Sequence, residues 1–238
     1  MWLRETTIGW MDGTPSDDRE RFRSLANVVF SCFDSCLEDL QTDYVGKIVT
    51  QLWSDPRQPD YAVFPDRNDK DLTVVSISRA CDAADLLARS DDEVLAELLR
   101  LHLESLLHVA GLRGWDMGPF LRAAECVRLS GFVAEASLPN KTSRFRRDLT
   151  ARAWGVISAA DRRVYLAVHD QSGHELRRVD APLRGDWHTL RAGLHKIAWL
   201  DQHSVELQPR QRAGIDLGPR LRIHDLDDVD RSSDTPSS

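Results

Sequence analysis

A chain of 238 residues, 42% hydrophobic and 29% charged, can bury one large core or two small ones. No apolar run reaches the roughly 20 residues that span a bilayer. The first ten residues carry charges where an export signal needs apolar ones, so the expected location is the cytoplasm. The net charge of −7 is unevenly spread. Residues 1–140 hold 14 Lys and Arg against 24 Asp and Glu, residues 141–224 hold 16 against 9, and residues 225–238 hold 1 against 5.

Residues 2–10 alternate like an opening strand, with Trp2, Ile8 and Trp10 on one face. Asp12, Gly13 and Pro15 make a turn, and Ser16 caps a helix expected to reach about Leu40. Its apolar stripe is Phe22, Leu25, Ala26, Val29, Cys32, Phe33, Cys36, Leu37 and Leu40. Tyr44–Trp53 reads as a strand, and Tyr61–Phe64 with Leu72–Ser78 as a hairpin around the polar turn 66–71. A short helix over 80–89 leads into the central helix, Ser90–Leu112. Ser90 with Glu93 is a capping box, Gly111 is the expected stop, and Glu93, Glu97, Arg100, Glu104 and His108 form one polar stripe on an otherwise apolar rod. Pro119 then opens a helix to Leu129.

The run 138–147, Leu-Pro-Asn-Lys-Thr-Ser-Arg-Phe-Arg-Arg, reads as a boundary, and short strands marked off by turns follow it. Strands are expected at 149–158, 163–169, 174–181, 204–208 and 220–223. Asp186 is expected to cap a helix with the stripe Trp187, Leu190, Leu194 and Ile197. The expected fold is therefore α+β. An N-terminal domain, 1–138, has a small, largely antiparallel sheet packed on a central buried helix. A basic linker, 139–147, joins it to a smaller β-rich domain, 148–224, with one helix. The acidic tail, 225–238, has little to bury and reads as disordered.

Catalytic signatures fail. There is no G-x-G-x-x-G, P-loop, H-E-x-x-H or G-x-S-x-G, no C-x-x-C, and no Cys/His cluster with zinc-finger spacing. No enzymatic activity, metal or cofactor is expected. The four cysteines read as reduced, mostly buried thiols. Among the histidines, His188 and His195 are seven apart and would share a helix face, His169 and His174 flank one turn, and His102 falls on the apolar side of the central helix. The three-strand, helix, strand order of 149–208 is similar to the topology of ribonuclease H folds. Its first strand holds no acid, so the metal-binding carboxylates of such an enzyme are absent.

Two sets of residues are candidates for a partner surface. Asp60, Asp66, Asp69 and Asp71 lie on polar turns and suit a cationic protein partner. Arg144, Arg146 and Arg147, followed by Arg152, Arg162, Arg163, Arg177 and Arg178 with Phe145, Trp154 and Tyr165 among them, suit nucleic acid. The segments D-Y-V-G-K-I-V-T-Q-L-W, V-V-S-I-S-R-A-C-D-A-A-D-L-L, L-L-R-L-H-L-E-S-L-L and V-Y-L-A-V-H-D-Q-S-G-H-E-L resemble, in that order, uncharacterised bacterial proteins of similar length. In style the chain is similar to immunity proteins of polymorphic-toxin systems, which are small, acidic, cytoplasmic α+β proteins without catalytic motifs. That resemblance implies a non-enzymatic protein that binds and inhibits a toxin domain, and it assigns no functional residue. The alternative is nucleic-acid binding by the basic C-terminal part.

Overall fold

A computed structural model describes residues 3–10, 16–55, 57–64, 67–69, 72–212, 214–224 and 226, in two compact units, Met1–Ala134 and Glu135–Ser238. The chain mixes helices and strands in both, as an α+β protein does. The first unit opens with β1 (Glu5–Trp10), α1 (Ser16–Cys36) and β2 (Val45–Trp53). It continues through β3 (Arg67–Asp69), β4 (Leu72–Ala80), α2 (Ala83–Leu87), α3 (Asp91–Arg113) and α4 (Gly118–Leu129).

The sheet order is β1-β2-β4-β3. β1 and β2 pair in parallel, from Glu5 opposite Lys47 to Trp10 opposite Leu52, and β2 and β4 are also parallel. Only β3 runs antiparallel to its neighbour β4. The expected largely antiparallel sheet is thus corrected to a largely parallel one. The 21 residues of α1 are long enough to carry the chain back to the start of a parallel strand. Between β2 and β4 an antiparallel return does the same job. The bridge from Val63 to Ile77 and the bonds of Tyr61 and Phe64 N–H to Ser78 and Ser76 carbonyls lay 61–64 along β4, as the hairpin reading expected, while 67–69, read as part of its turn, pair with β4 as a strand. β2 buries one face through Ile48, Thr50 and Leu52, while Lys47, Val49 and Trp53 on the other face are half-buried.

α1 stops at Cys36 rather than near Leu40, because the chain leaves it to bond Leu3 N–H with the Leu40 carbonyl. Trp2 and the 12–15 turn lie outside the described residues. α3 starts on the expected capping box: the Ser90 side chain accepts from Glu93 N–H, and the Glu93 carboxylate accepts from Ser90 N–H at 2.9 Å. Its end lies three residues beyond the expected Gly111. Gly114 takes the left-handed φ of 69°, and Trp115 N–H closes back on the Ala110 carbonyl at 2.9 Å, which satisfies the last turn as a Schellman motif does. Buried Trp115 anchors that end, so packing chose between the two glycines.

Cys36 at the end of α1 is disulfide-bonded to Cys126 on α4, which corrects the expectation of four reduced thiols. Helix packing of α1 on α4 decides this pairing of residues 90 apart in sequence. The Arg122–Glu38 ion pair, at 2.6 Å, lies beside it. Cys32 is buried and Cys81 half-buried. His102 is fully buried between Thr50, whose hydroxyl is 2.9 Å from Nδ1, and the edge of the Phe33 ring. Burial holds its imidazole neutral, with a pKa lowered to about 3.

The second unit begins with β5 (Ala134–Ser137), β6 (Lys141–Thr142), β7 (Thr150–Ile157), β8 (Arg162–His169) and β9 (Glu175–Pro182). After α5 (Trp187–Gly193) come β10 (Lys196–Trp199), β11 (Val205–Gln208), β12 (Gln211–Arg212), β13 (Ile215–Asp216) and β14 (Leu221–Ile223). β7, β8 and β9 form an antiparallel meander, with β5 and β6 on the outer side of β7. The segment read as a linker, 139–147, therefore contributes a strand: Lys141 pairs with Ala151, and Leu138 N–H reaches the Ala153 carbonyl at 2.9 Å. α5 is capped by Asp186, as expected, but ends at Gly193, whose backbone lies so close to Gly218 that a side chain at Gly218 would not fit. Ile197 accordingly sits in β10, which pairs with β11 in a separate sheet with β14, so the ribonuclease H order does not form. In the tail, expected to have little to bury and to be disordered, Leu226 is buried and its N–H reaches the His203 carbonyl; residues 225 and 227–238 lie outside the described residues.

Candidate functional site

The acidic candidates come first. The Asp60 carboxylate is not free for a partner: its Oδ1 accepts from Arg79 Nε at 3.0 Å, Ala80 N–H at 3.0 Å and Tyr61 N–H at 3.1 Å. Arg79, only 4% exposed, also donates to the Leu101 carbonyl at 3.1 Å and to Glu104 at 2.8 Å, and its guanidinium lies 4.0 Å from the Tyr61 ring centroid. Burial pushes the Glu104 carboxyl up, but hydrogen bonds from Arg79 and Arg100 outweigh it and leave the group below the usual carboxylate range. Tyr61 holds a left-handed φ of 60°. This is a staple between β4, the 57–64 loop and α3. Asp66, Asp71 and the side chain of Asp69 lie outside the described residues.

A wide hollow lined by Arg89, Glu93, Ala96, Glu97, Arg100 and Arg128 opens on α3. Its charges are already matched: Arg100 with Glu97 and Glu104, Arg89 with Asp85, Arg128 with Glu125, and Glu93 in the helix cap. Burial, then Glu97 and Asp82, push the nearby Cys81 thiol up to about 11, so it is no nucleophile at neutral pH.

The basic candidates divide. Arg146 is bound to Asp148 at 2.8 Å. Arg147 is exposed, and Arg144 lies over the half-exposed ring of Phe145 at 4.7 Å. These residues occupy the turn between β6 and β7. That turn is at the end of the meander where Thr150 pairs with His169.

The meander brings four of the sequence candidates together: Arg152, Trp154, Tyr165 and Arg178. On β7 the alternation is strict: Ala151, Ala153, Gly155 and Ile157 are buried, while Thr150, Arg152, Trp154 and Val156 face outward. Gly155 is small because Leu190 of α5 rests on it from the inner side. On β8, Val164, Leu166 and Val168 are buried, as expected from their alternation. Register places Trp154 directly opposite Tyr165, with ring centroids 5.0 Å apart and planes 12° from parallel. The next row is Arg152, Ala167 and Arg178, whose two guanidinium groups stand 5.4 Å from the Trp154 centroid and 5.9 Å from the Tyr165 centroid respectively. Tyr165 donates its hydroxyl to Asp161 at 2.6 Å, which, ahead of burial, raises its pKa. Arg163 is held by Asp180 and Asp161. Arg152 meets no carboxylate among the described residues.

Beyond Arg152 lies a polar hollow of about 320 Å³, lined by Asn140, Thr150, Arg152, His169, Asp170, Gln171 and Gly173. Asp170 builds its floor turn: Oδ1 accepts from Ser172 N–H at 2.8 Å, the Ser172 hydroxyl at 2.6 Å and His174 N–H at 2.9 Å. The Ser172 hydroxyl first, then His174 N–H, holds the carboxyl below its usual range. His188 and His195 do not share a helix face, since α5 ends before His195. No group of three or more His, Cys, Asp or Glu with metal-binding geometry occurs among the described residues, and no described helix is long and apolar enough to cross a membrane. Compared with known proteins, the chain matches no family model, no curated protein and no solved structure.

Proposed function

We propose that this chain is a non-enzymatic protein that binds single-stranded nucleic acid on the outward face of the β7–β8–β9 meander. The observation that carries the reading is the half-buried Trp154–Tyr165 stack flanked by Arg152 and Arg178 on the outward face of the sheet. Unstacked bases need aromatic faces, worth about 1–3 kcal/mol per base, and phosphates need uncommitted cations nearby. Arg144, Phe145 and Arg147 extend the track from the β6–β7 turn. The reading keeps the protein in the cytoplasm. The Cys36–Cys126 bridge pulls the other way, because cytosolic thiols are mostly kept reduced.

The test is fluorescence anisotropy of a labelled single-stranded 12-mer titrated across salt. Binding should weaken linearly in log salt. Trp154→Ala should lower affinity about tenfold at any salt, and Arg152→Ala should flatten the slope by about 0.7. A flat titration at low ionic strength sinks the proposal. The protein-partner reading then takes over, with an immunity-type toxin inhibitor as its concrete form, resting on Asp66, Asp69 and Asp71.

A further inference from the structure

The hollow beside the aromatic stack mixes donors with acceptors, one of them a carboxylate oxygen. Arg152, Asn140 and Gln171 offer N–H groups, and Thr150 and His169 can serve either way. Asp170 is different. Its three hydrogen bonds all fall on Oδ1, and Oδ2 accepts from no donor among the described residues. A pure phosphate pocket would not carry a carboxylate, because the like charge opposes the ligand. A sugar hydroxyl, which must both donate and accept, is what a carboxylate oxygen among amide and guanidinium donors fits. The hollow sits one outward position along β7 from Trp154, so a nucleotide stacked on that ring has its sugar and phosphate at hand.

We infer that this hollow reads the ribose 2′-hydroxyl, with Asp170 Oδ2 accepting its proton and Arg152 held for the adjoining phosphate, so that the strand the protein prefers is RNA. The inference rests on the nucleic-acid reading above and goes further in naming the sugar.

The conservative probe is Asp170→Asn. An asparagine keeps an oxygen to close the turn and turns the other position from acceptor into donor. Oligo(rU) and oligo(dU) 12-mers of equal length are titrated by anisotropy at one salt concentration, with urea unfolding to verify that the variant retains the wild-type midpoint. The wild type should bind the ribo strand about tenfold more tightly, the scale of one hydrogen bond to a charged group. Asp170→Asn should bring the two strands level by weakening the ribo strand while leaving the deoxy strand as tight as before or tighter. Equal wild-type affinities overturn the inference but leave the binding surface standing, as does a ribo preference that survives Asp170→Asn. Binding of neither strand overturns both. Should Asp170→Asn lower the unfolding midpoint, Gln171→Ala is the second variant. It removes a donor from the hollow without touching the turn, and an unchanged ribo preference there as well counts against the hollow.

Discussion

Arg79 in the first unit and Arg152 in the second are held in opposite ways. In the first, Arg79 is buried and fully engaged by Asp60, Glu104, the Leu101 carbonyl and the Tyr61 ring, and Arg100 is shared between Glu97 and Glu104. In the second, Arg152 and Arg178 stand over aromatic rings on an outward sheet face; Glu175 lies 3.5 Å from Arg178, and Arg152 meets no carboxylate among the described residues. A charge satisfied inside the fold supports the fold. One left beside aromatics on an outward face is available to something outside it. Damage to the first unit should therefore show as lost stability, and damage to the meander as lost binding.

The largest expected effect is on the bridge between Cys36 and Cys126. Closing a loop of about this length restricts the unfolded chain by about 4–5 kcal/mol. Cys36→Ser with Cys126→Ser should lower the first unit's urea midpoint accordingly. The second unit has no cysteine, and its transition should stay where it is. Two transitions that fall together would break the comparison.

Arg79→Met is next. Stranding a charge in the interior costs about 3–5 kcal/mol, but Asp60 and Glu104 are 43% and 34% exposed and Glu104 keeps Arg100. About 2–3 kcal/mol is expected in urea unfolding, with oligonucleotide affinity unchanged.

His102 supplies a pH effect. Its folded pKa of about 3 lies below the unfolded value near 6.5, so the unfolded chain binds the extra proton between those limits. The stability from the neutral ring is complete above pH 6.5 and is lost as pH falls toward 3, at up to about 1.4 kcal/mol per unit. Unfolding measured from pH 7 to 5, above the carboxylate range, should slope accordingly in the wild type. His102→Leu should flatten the slope even though it strands the Thr50 hydroxyl; a slope unchanged by the substitution would mean the ring is protonated in the folded protein. The smallest stability effect belongs to Trp154→Ala. A cross-strand pair is worth less than about 1 kcal/mol, so this variant should unfold nearly as the wild type while binding poorly.

Much of the local structure was legible from short-range signals. The Ser90–Glu93 box, the alternation of Val164, Leu166 and Val168, the Asp186 cap and the return of 61–64 along β4 each depend on residues close in the chain. The sheet's parallel sense was not legible, because it depends on where a helix delivers the chain and not on the strand's own residues. The same holds for Cys36 and Cys126, which meet only because α4 packs on α1. Part of the candidate site was within reach of the sequence. Trp154 and Tyr165 are equidistant from the Ser158–Asp161 turn, so counting outward from it pairs them, whereas a list of arginines does not.

What the amino-acid order determined by itself is the set of faces: which side of each helix and strand is apolar, and where each begins. Side-chain periodicity and capping act over a few residues, so they need no knowledge of the rest of the chain. Tertiary structure alone decided which charges were spent. Asp60 reads in the sequence as an exposed turn acid and Arg152 as one arginine of many. Only the long-range contacts, from β4 to α3 in one case and the meander in the other, commit the first to Arg79 and leave the second without a carboxylate among the described residues.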